Sequence, residues 1–496
     1  MTTTPDWVQD AIFYQIFPDR FARSARNPND NLTFEPWDSP PTAHGFKGGD
    51  LYGVAERLDY LKDLGVTALY LNPIFASAAN HRYHAYDYYT VDPLLGGNNA
   101  FDELLEKAHK KNIRIILDGV FNHASRGFWQ FHHVLECGED SPYKDWFLFD
   151  PERLKRRKHW GAYPSPIEQR LLQHEDSITA IGYRGWWNLP ALPKFNTKTP
   201  AVREFLFEVA EHWIKLGIDG WRLDVPTEID DDSFWQEFRY RVRKINSEAY
   251  IVGEIWHEAQ RWLQGDQFDA IMNYDVTKPC LAFFPGRYLD LKVLHQQTNY
   301  HSIHHPIDAY EFANRIDHNL QLYKREITYS QLNSLDTHDT PRFLSCAGGD
   351  KNALKLAWLF MFAYPGAPCI YYGDEVGIDG KHDPDNRKSF PWDESQWDKD
   401  LLKYAREVIH LRKKNPAFRR GDFNRLWSTD GVYAFSRSLD GHTLIIALNT
   451  SESPQQAEVP FEAKHPKIVF GEGANVSVGE GRLRFTIPAR SGVVLK

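Results

Sequence analysis

The stretch DGWRLDV, residues 219–225, contains a carboxylate and a cation two residues apart in an otherwise strand-like run. At this spacing Arg222 and Asp224 lie on the same face of a β-strand, so the arginine can keep the carboxylate charged. A buried, unpaired carboxylate is costly, and two interpretations follow: a structural ion pair at a strand end, or a catalytic acid. The pair alone does not distinguish them.

Two further acids stand in similar surroundings. Glu254 occurs in VGEIWH, beside Ile255 and near Trp256, and Asp339 occurs in DTHDT beside His338. All three acids lie at or just beyond the end of a short strand-like run. If these runs are strands of one barrel, the acids meet at its carboxyl end, where barrel active sites are found.

Hydrolysis of a glycosidic bond is a reaction that uses such a set of carboxyl groups. One carboxylate is the nucleophile or base, one protonated carboxyl is the general acid, and further negative charge stabilises the oxocarbenium-like transition state. Asp224, kept ionised by Arg222, suits the nucleophile. The apolar neighbours of Glu254 are expected to raise its pKa and retain the proton of the acid, which leaves Asp339 to orient the sugar and stabilise the transition state.

Eight short β-rich runs alternate with helix-like segments and would supply the strands that position these acids. The predicted strands are residues 11–17, 68–75, 114–121, 220–225, 250–255, 270–274, 331–336 and 368–375. Amphipathic segments between them include 53–65, 100–112, 200–217 and 233–246, several with Gly or Asn near the C-terminus. This alternation predicts an α/β fold, a (βα)8 TIM barrel.

Two stretches depart from the regular barrel. The chain between Phe121 and Gly220 is much longer than one βα unit needs, which predicts a subdomain inserted after the third strand. From about Asn424 onward, short runs separated by Gly, Asp and Ser predict a small antiparallel β-domain. The predicted division is a barrel of residues 1–123 and 191–420, an inserted subdomain of 124–190 and a C-terminal β-sandwich of 421–496.

Composition and charge narrow the classes of function. The chain of 496 residues has a net charge of -9, with 58 Lys and Arg against 67 Asp and Glu, which argues against a nucleic-acid partner. Its four scattered cysteines, with no C-x-x-C pair, indicate neither a disulfide framework nor a zinc site. Without a signal-peptide pattern or a bilayer-spanning apolar run, we expect a cytoplasmic protein with no membrane partner.

Four segments, in order, resemble the signature regions of the α-amylase family, glycoside hydrolase family 13: DGVFNH (118–123), GWRLDVPTE (220–228), GEIWH (253–257) and THDT (337–340). LPKFN (192–196) resembles the additional motif of the cyclomaltodextrinase, neopullulanase and maltogenic amylase branch. The similarity extends from AIFYQIFPDRF to the C-terminal β-domain. It implies a glycoside hydrolase whose partner is an α-glucan oligosaccharide.

The resemblance implies a role for each matching residue. Asp224 matches the nucleophile, Glu254 the acid/base and Asp339 the transition-state stabiliser. The matches to sugar-binding residues are Tyr83, His123, Arg222, His338, Asp383 and Arg387, with Glu228, Trp256 and His257 around the acceptor sugar. For Tyr83 and Arg387, whose matching segments are shorter, simple loop packing is the alternative.

The sequence also departs from the branch. The first strand begins by about Ala11, so the extra N-terminal β-domain that helps the branch to dimerise is expected to be absent, which predicts a monomer or weak oligomer. His84 stands where the branch usually has Asp. These differences put in doubt the narrow cleft that a neighbouring subunit shapes in the branch.

No cofactor is expected to be required, and calcium is the one candidate metal. GGD (48–50), Asn27, Asn29 and Asp30 offer oxygen ligands of the kind that calcium binds. Arg23 and Ala25, however, stand where another ligand would be expected. Asn122, at a further calcium position of the family, is expected to hydrogen-bond locally, so we assign no metal ligand.

The resemblance implies retaining cleavage of α-1,4-glucosidic bonds in cyclodextrins, maltooligosaccharides and pullulan, with α-1,6 bonds as a further candidate and transglycosylation as a side activity. Two alternatives stay open: a general α-amylase acting on starch, and a glucan transferase, which would share all three acids. A non-catalytic sugar-binding protein would be expected to lack one of them. A phosphate-binding or metal-dependent barrel enzyme would need a Gly-rich loop or a ligand cluster, which the sequence lacks.

Overall fold

The computed structural model of the chain describes residues 4–27, 29, 31–156, 161–429, 431–460, 466–479 and 481–496. Eight short parallel strands form its central element, and each coincides with one of the eight predicted runs. They are β1 (Phe13–Ile16), β2 (Ala68–Leu71), β3 (Arg114–Gly119), β4 (Gly220–Leu223), β5 (Tyr250–Gly253), β6 (Ala270–Ile271), β7 (Leu332–Ser334) and β8 (Ala367–Tyr371).

Hydrogen bonding closes these strands into a barrel. Neighbouring strands follow the order β6-β5-β4-β3-β2-β1-β8-β7. The last gap, between β6 and β7, is closed by a parallel bridge from Met272 to Leu332, with Asn273 N donating to Leu332 O at 2.9 Å. Nearly all strand residues are buried, as expected where helices cover one face of a parallel sheet and side chains fill the barrel. The predicted (βα)8 TIM barrel is confirmed.

Helices surround the barrel and connect its strands. The longer ones are Gly97–Lys110, Trp129–Cys137, Pro200–Leu216, Asp232–Ile245, Tyr274–Phe283, Ala309–Leu322, Lys351–Ala363 and Lys399–Lys414. The shorter ones are Trp7–Asp10, Pro18–Phe21, Leu51–Glu56, Leu58–Leu64, Pro151–Arg156, Pro166–Leu171, Ser177–Ile181, Leu291–Leu294, Arg325–Thr328, Phe343–Cys346 and Pro416–Arg420. The segment predicted as one helix, 53–65, belongs to two helices divided at Arg57, the second ending at Gly65 with a left-handed φ of 106°.

The long connection between β3 and β4 begins and ends at the mouth of the barrel. Its two ends lie side by side, because His123 and Lys194 form an antiparallel bridge. Phe128, Phe147 and Phe195 are buried and contact one another through their rings, and they belong to the same hydrophobic core as barrel residues such as Leu117. The chain therefore returns from the insertion directly beside the predicted acids, while the subdomain boundaries at 124 and 190 stay a prediction.

The C-terminal part consists of two antiparallel sheets, as predicted. The first has the order β13-β16-β11-β10-β9 and the second β12-β15-β14. Their bounds are β9 Asp422–Thr429, β10 Val432–Leu439, β11 His442–Asn449, β12 Gln455–Pro460, β13 Ile468–Phe470, β14 Asn475–Gly479, β15 Arg482–Ile487 and β16 Ser491–Leu495. Alternate residues of β10 face opposite ways: Tyr433 and Phe435 pack against the barrel, whereas Val432 and Ala434 pack between the sheets.

Two further observations concern the cysteines and the helices. All four cysteines, Cys137, Cys280, Cys346 and Cys369, are free. Within the described ranges, none of the helices combines the length and the apolar character that a membrane span needs.

Candidate active site

The barrel brings the three predicted acids together at the carboxyl ends of its strands. Asp224 directly follows β4, Glu254 directly follows β5, and Asp339 lies beyond β7. Leu223 and Gly253, the last residues of β4 and β5, are paired in register, so Asp224 and Glu254 are neighbours. Both are buried, whereas the Asp339 side chain is 32% exposed.

One guanidinium group links the carboxyl groups. Arg222 Nη1 donates to Asp224 Oδ1 at 3.0 Å, and Arg222 Nη2 lies 2.9 Å from Glu254 Oε2. Nη1 also donates to both carboxylate oxygens of Asp118, at 2.8 and 3.0 Å. Arg222 is fully buried. Its single positive charge therefore interacts with three carboxyl groups and not with Asp224 alone.

The pKa of Asp224 depends on burial as well as on Arg222. The sequence predicted that Arg222 keeps Asp224 ionised, as in an isolated ion pair. Burial instead raises the pKa of Asp224 well above its ordinary value, although Arg222 lowers it, and the charge of Glu254 raises it further. Burial also raises the pKa of Glu254, as predicted, with Arg222 opposing the change. The two carboxyl groups therefore titrate as a pair and retain a proton to higher pH than a solvated carboxyl does.

The two oxygens of Asp224 have different surroundings. Oδ1 accepts from Arg222, whereas Oδ2 is buried and has no hydrogen-bond partner among the described residues. The next residue, Val225, has a φ of 35°, which is unfavourable for a β-branched side chain, and its N–H donates to Glu254 Oε2 at 3.2 Å. The backbone here holds Glu254 in place while leaving Asp224 Oδ2 free to react.

Glu254 lies in a more polar setting than its sequence neighbours suggest. Trp256 donates its indole N–H to Glu254 Oε1 at 3.1 Å, and the Trp256 ring stacks on Tyr274 at 3.6 Å. Since Arg222 and the Val225 N–H reach the other oxygen, the predicted apolar setting is wrong. Burial raises the pKa of this acid, and Arg222 and the Val225 N–H oppose the rise.

Asp339 is held between two basic side chains. His338 Nε2 lies 3.0 Å from Asp339 Oδ2, and Arg387 Nη2 donates to Oδ1 at 3.3 Å. Burial favours the protonated form, but His338 and Arg387 outweigh it and hold the pKa of Asp339 well below its ordinary value. Arg387 also pairs with Asp383, 3.0 Å away, so the two residues predicted to bound the next sugar are in contact.

Tyr83 and His338 form the other wall of the site. Their rings are stacked at 5.4 Å, and the Tyr83 hydroxyl donates to Asp118 Oδ2 at 2.8 Å. Gln15 Nε2 lies 2.8 Å from His338 Nδ1, and the other ring nitrogen, Nε2, faces Asp339. Tyr83 is thus part of the hydrogen-bond network of the acids and does more than pack a loop.

The remaining predicted residues lie around this centre. The His123 ring is buried and stacks on Trp186 at 4.8 Å, and burial lowers the pKa of His123 to about 3, so the ring is neutral. Glu228 is exposed and pairs with Lys194 at 3.0 Å. His257 is also exposed, and none of its hydrogen bonds to the described residues reaches one of the acids. Neither Glu228 nor His257 has a described side-chain hydrogen bond or ion pair with one of the acids.

Comparison with known proteins identifies the family. Residues 15–420 match the alpha amylase catalytic domain, and residues 421–495 match the alpha-amylase C-terminal domain. The chain belongs to the α-amylase family. It is a glycoside hydrolase of that family, which confirms what the signature segments implied.

Three relatives show which members of the α-amylase family the chain resembles. It is 43% identical to a cyclomaltodextrinase from Bacillus sp over 90% of this chain and 74% of that protein. It is 38% identical to neopullulanase 2 from Thermoactinomyces vulgaris over 99% of this chain and 78% of that protein. The native structure of the Nostoc punctiforme debranching enzyme superposes with a TM-score of 0.89 and 45% identity, covering 100% of this chain and 99% of that chain.

Sequence reasoning does not single out Asp118, although the structure places it at the centre of the network. Its carboxylate accepts from Tyr70 at 2.7 Å as well as from Arg222 and Tyr83. The signal was present, because Asp118 ends the apolar run RIILD much as Asp224 ends its own strand. Gln15, a buried polar residue within β1, gives a weaker signal of the same kind.

Some of the oxygens predicted as calcium ligands are engaged in hydrogen bonds, whereas Asn122 Oδ1 is buried and has no hydrogen-bond partner among the described residues. Asp50 caps the helix that follows it, and Asn27 Oδ1 accepts from Asn29 Nδ2 at 2.7 Å. Asp30 lies outside the described residues, and Asn122 Nδ2 makes the local contact predicted for it, 3.3 Å from a ring nitrogen of His123. No group of three or more His, Cys, Asp or Glu side chains among the described residues could hold a metal ion.

Proposed function

We propose that the chain is a retaining α-glycoside hydrolase that cleaves α-1,4-glucosidic bonds in cyclodextrins, maltooligosaccharides and pullulan, with α-1,6 bonds as further substrates. The observation that carries the proposal is the buried, unpartnered Asp224 Oδ2 beside Glu254, with Arg222 between the two carboxyl groups. A retaining mechanism needs a carboxylate oxygen free to attack and a protonated acid close to it. The names cyclomaltodextrinase, neopullulanase and debranching enzyme support the substrate class.

In the first step, the proton retained by the carboxyl pair lies on Glu254. Glu254 donates this proton to the glycosidic oxygen while Asp224 Oδ2 attacks the anomeric carbon, so that a glycosyl ester forms as the leaving sugar departs. Arg222 remains bound to Asp224 Oδ1 and orients the attacking oxygen. Asp339, which is ionised, stabilises the positive charge of the transition state.

In the second step, Glu254 is a carboxylate and acts as a base. It takes a proton from water, the water oxygen attacks the anomeric carbon, and Asp224 leaves as a carboxylate, so two inversions give net retention. A sugar hydroxyl in place of water gives transglycosylation, the proposed side activity. A glucan transferase, the alternative function, would use the same chemical steps, but its rate of transfer to a sugar would exceed its rate of hydrolysis.

We assign sugar binding to the side chains around these acids. Tyr83, His123, Arg222 and His338 hold the sugar at the cleavage point, and Asp383 with Arg387 bounds the sugar beyond it. We assign Trp256 and Glu228 to binding of the acceptor sugar. His257 is assigned to the same sugar only because it belongs to the GEIWH motif.

Catalysis as proposed needs no cofactor, because the carboxyl groups supply the nucleophile, the acid and the stabilising charge. Any effect of calcium would then fall on stability and not on the chemical steps. The free cysteines support a reducing, cytoplasmic location, where small imported α-glucans would be the substrates. We propose that the protein is active there as a monomer or weak oligomer.

Initial rates on equal masses of β-cyclodextrin, maltoheptaose, pullulan and soluble starch test the substrate proposal. We expect β-cyclodextrin and maltoheptaose to be cleaved faster than starch. The reason is that the chain is similar over 90% or more of its length to a cyclomaltodextrinase and a neopullulanase. A clear preference for starch over both small substrates would favour a general α-amylase. Predominantly longer products from maltotriose would favour a glucan transferase.

A further inference from the structure

Three aromatic rings form a column that runs outward from the candidate active site. The His123 ring stacks on Trp186 at 4.8 Å and 6°, and Trp186 stacks on Trp187 at 4.4 Å and 16°. His123 is fully buried, whereas Trp187 is 75% exposed. Trp187 has no other ring contact among the described residues, so one face of its indole rests on Trp186 and the other is open to solvent.

The turn that presents Trp187 is strained but well fixed. Trp187 and Asn188 have φ values of 52° and 58°, in the left-handed region that bulky side chains avoid. Asn188 Oδ1 accepts from Ser177 N at 3.1 Å, and Gly185 N donates to Ser177 Oγ at 2.8 Å. Because Trp187 is exposed, burial of its side chain contributes little stability to offset this backbone strain. Strain without a stabilising contact is expected at a residue whose role is to bind a ligand.

Trp187 borders a groove of about 580 Å³. The groove is lined by both tryptophans together with Arg184, Asn188, Lys194 and Glu228. Lys194 Nζ is 3.0 Å from Glu228 Oε2 and Arg184 Nη2 is 3.7 Å from Asp176 Oδ2, so its principal charges are already paired. The groove thus offers aromatic ring faces, charged groups that are already paired, and the amide of Asn188. Such a lining suits a neutral, hydroxyl-rich ligand such as a sugar better than an ion.

Two segments that line the groove lead to the site of the acids. Glu228 belongs to the same loop as Asp224, and Lys194 is bridged to His123. A glucan chain whose cleaved bond lies at Asp224 and Glu254 would therefore pass along this groove on its acceptor side.

We propose that Trp187 is the platform for an acceptor-side glucosyl unit and that it sets how often a sugar, instead of water, receives the glycosyl group. The proposal rests on the function proposed above. In the transfer step the ester bond between the anomeric carbon and Asp224 breaks, and a bond to the acceptor hydroxyl oxygen forms. The hydroxyl proton passes to Glu254, and Asp224 leaves as a carboxylate. An acceptor held on Trp187 competes better with water because it is already positioned for attack.

The ratio of transfer to hydrolysis with maltotriose tests this proposal. Trp187→Gly removes the ring but tolerates the left-handed backbone, and we expect it to lower the ratio about tenfold. Trp187→Phe retains an aromatic face and should restore most of the ratio. Trp129→Ala is the matched control, because Trp129 is a 60% exposed tryptophan of the same insertion that contacts His133 and Tyr143 outside the groove.

A ratio for Trp187→Gly within twofold of wild type would overturn the proposal, as would an equal loss in Trp129→Ala. α-Maltosyl fluoride separates this failure from failure of the underlying function, because its leaving group is not a sugar. If the wild-type protein turns over the fluoride but its transfer ratio does not depend on Trp187, only the present inference is wrong. If the wild-type protein does not turn over the fluoride, the proposed function is wrong and this inference fails with it.

Discussion

Asp224→Asn is expected to lower kcat by about a thousandfold or more while leaving the fold intact. The amide cannot form the glycosyl ester that Asp224 Oδ2 is proposed to form. Stability should be retained, since the amide has nearly the same size and its oxygen can still accept from Arg222 Nη1, as Asp224 Oδ1 does. The measurements are kcat on maltoheptaose and the midpoint of thermal unfolding.

Asp219→Asn is the matched control for this substitution. Asp219 stands at the other end of the same DGWRLDV segment, where it accepts from Arg114 Nη1 at 2.7 Å and from Ile115 N at 2.8 Å, away from the acids. We expect a loss of stability from this control but no comparable loss of kcat. If Asp224→Asn kept kcat within tenfold of wild type, the pair would be the structural ion pair that the sequence left open.

Arg222→Ala is expected to remove activity and to destabilise the fold by about 3–5 kcal/mol, the usual range for breaking a buried ion pair. The substitution leaves three buried carboxyl groups, those of Asp118, Asp224 and Glu254, without their shared cation. The pKa values of Asp224 and Glu254, which Arg222 lowers, should rise further, so the folded protein would bind more protons than the unfolded chain. Its stability should therefore fall as pH rises from about 5 to 8, which urea unfolding at several pH values measures.

Two variants sharpen the interpretation of Arg222→Ala. Arg222→Lys keeps the charge but not the planar fork that reaches all three carboxyl groups, so it should recover stability more than activity. Arg239→Ala breaks another buried pair, with Asp269 at 2.8 Å, before the start of β6 and outside the candidate site. It should lower stability but leave kcat of the folded enzyme near wild type. An Arg222→Ala enzyme with wild-type kcat would contradict the proposed role of the guanidinium.

The barrel and the position of its acids are predictable from sequence because they depend on local pattern. Short apolar runs define the strands, and the strand ends in a closed parallel barrel share one face, so Asp224, Glu254 and Asp339 had to approach one another. The acid signals were strong because a carboxylate is rare in such apolar runs.

The electrostatics of the acids could not be predicted from the same pattern. Arg222 and Asp224 are visible as a pair at i and i+2, but Asp118 reaches Arg222 only because β3 and β4 are neighbours in the barrel. Asp118 thus shares the positive charge of Arg222 with Asp224, and the spacing of residues within one strand does not indicate this partner. Burial, which no local spacing reports either, raises the pKa of Asp224 well above its ordinary value, and Arg222 opposes that rise only in part.

Loop side chains are the other part that sequence does not determine. His257 lies within a signature segment yet points to solvent, because its loop leaves the barrel after Trp256. Trp187 and Asn188 adopt left-handed φ values although neither is a glycine, so the sequence does not indicate them. Hydrogen bonds from Ser177 N to Asn188 and from Gly185 N to Ser177 hold this turn. Such positions follow from contacts between distant segments.

The anomeric form of the first product tests the account most directly, because it reports whether Asp224 forms a glycosyl ester. Asp224 and Glu254 end adjacent, in-register strands and bind the same guanidinium group, which places them side by side as retaining glycosidases require. Proton NMR of the first products released from maltoheptaose should show the α-anomer before mutarotation. The β-anomer appearing first would contradict the account, because it would mean that water attacks the anomeric carbon directly.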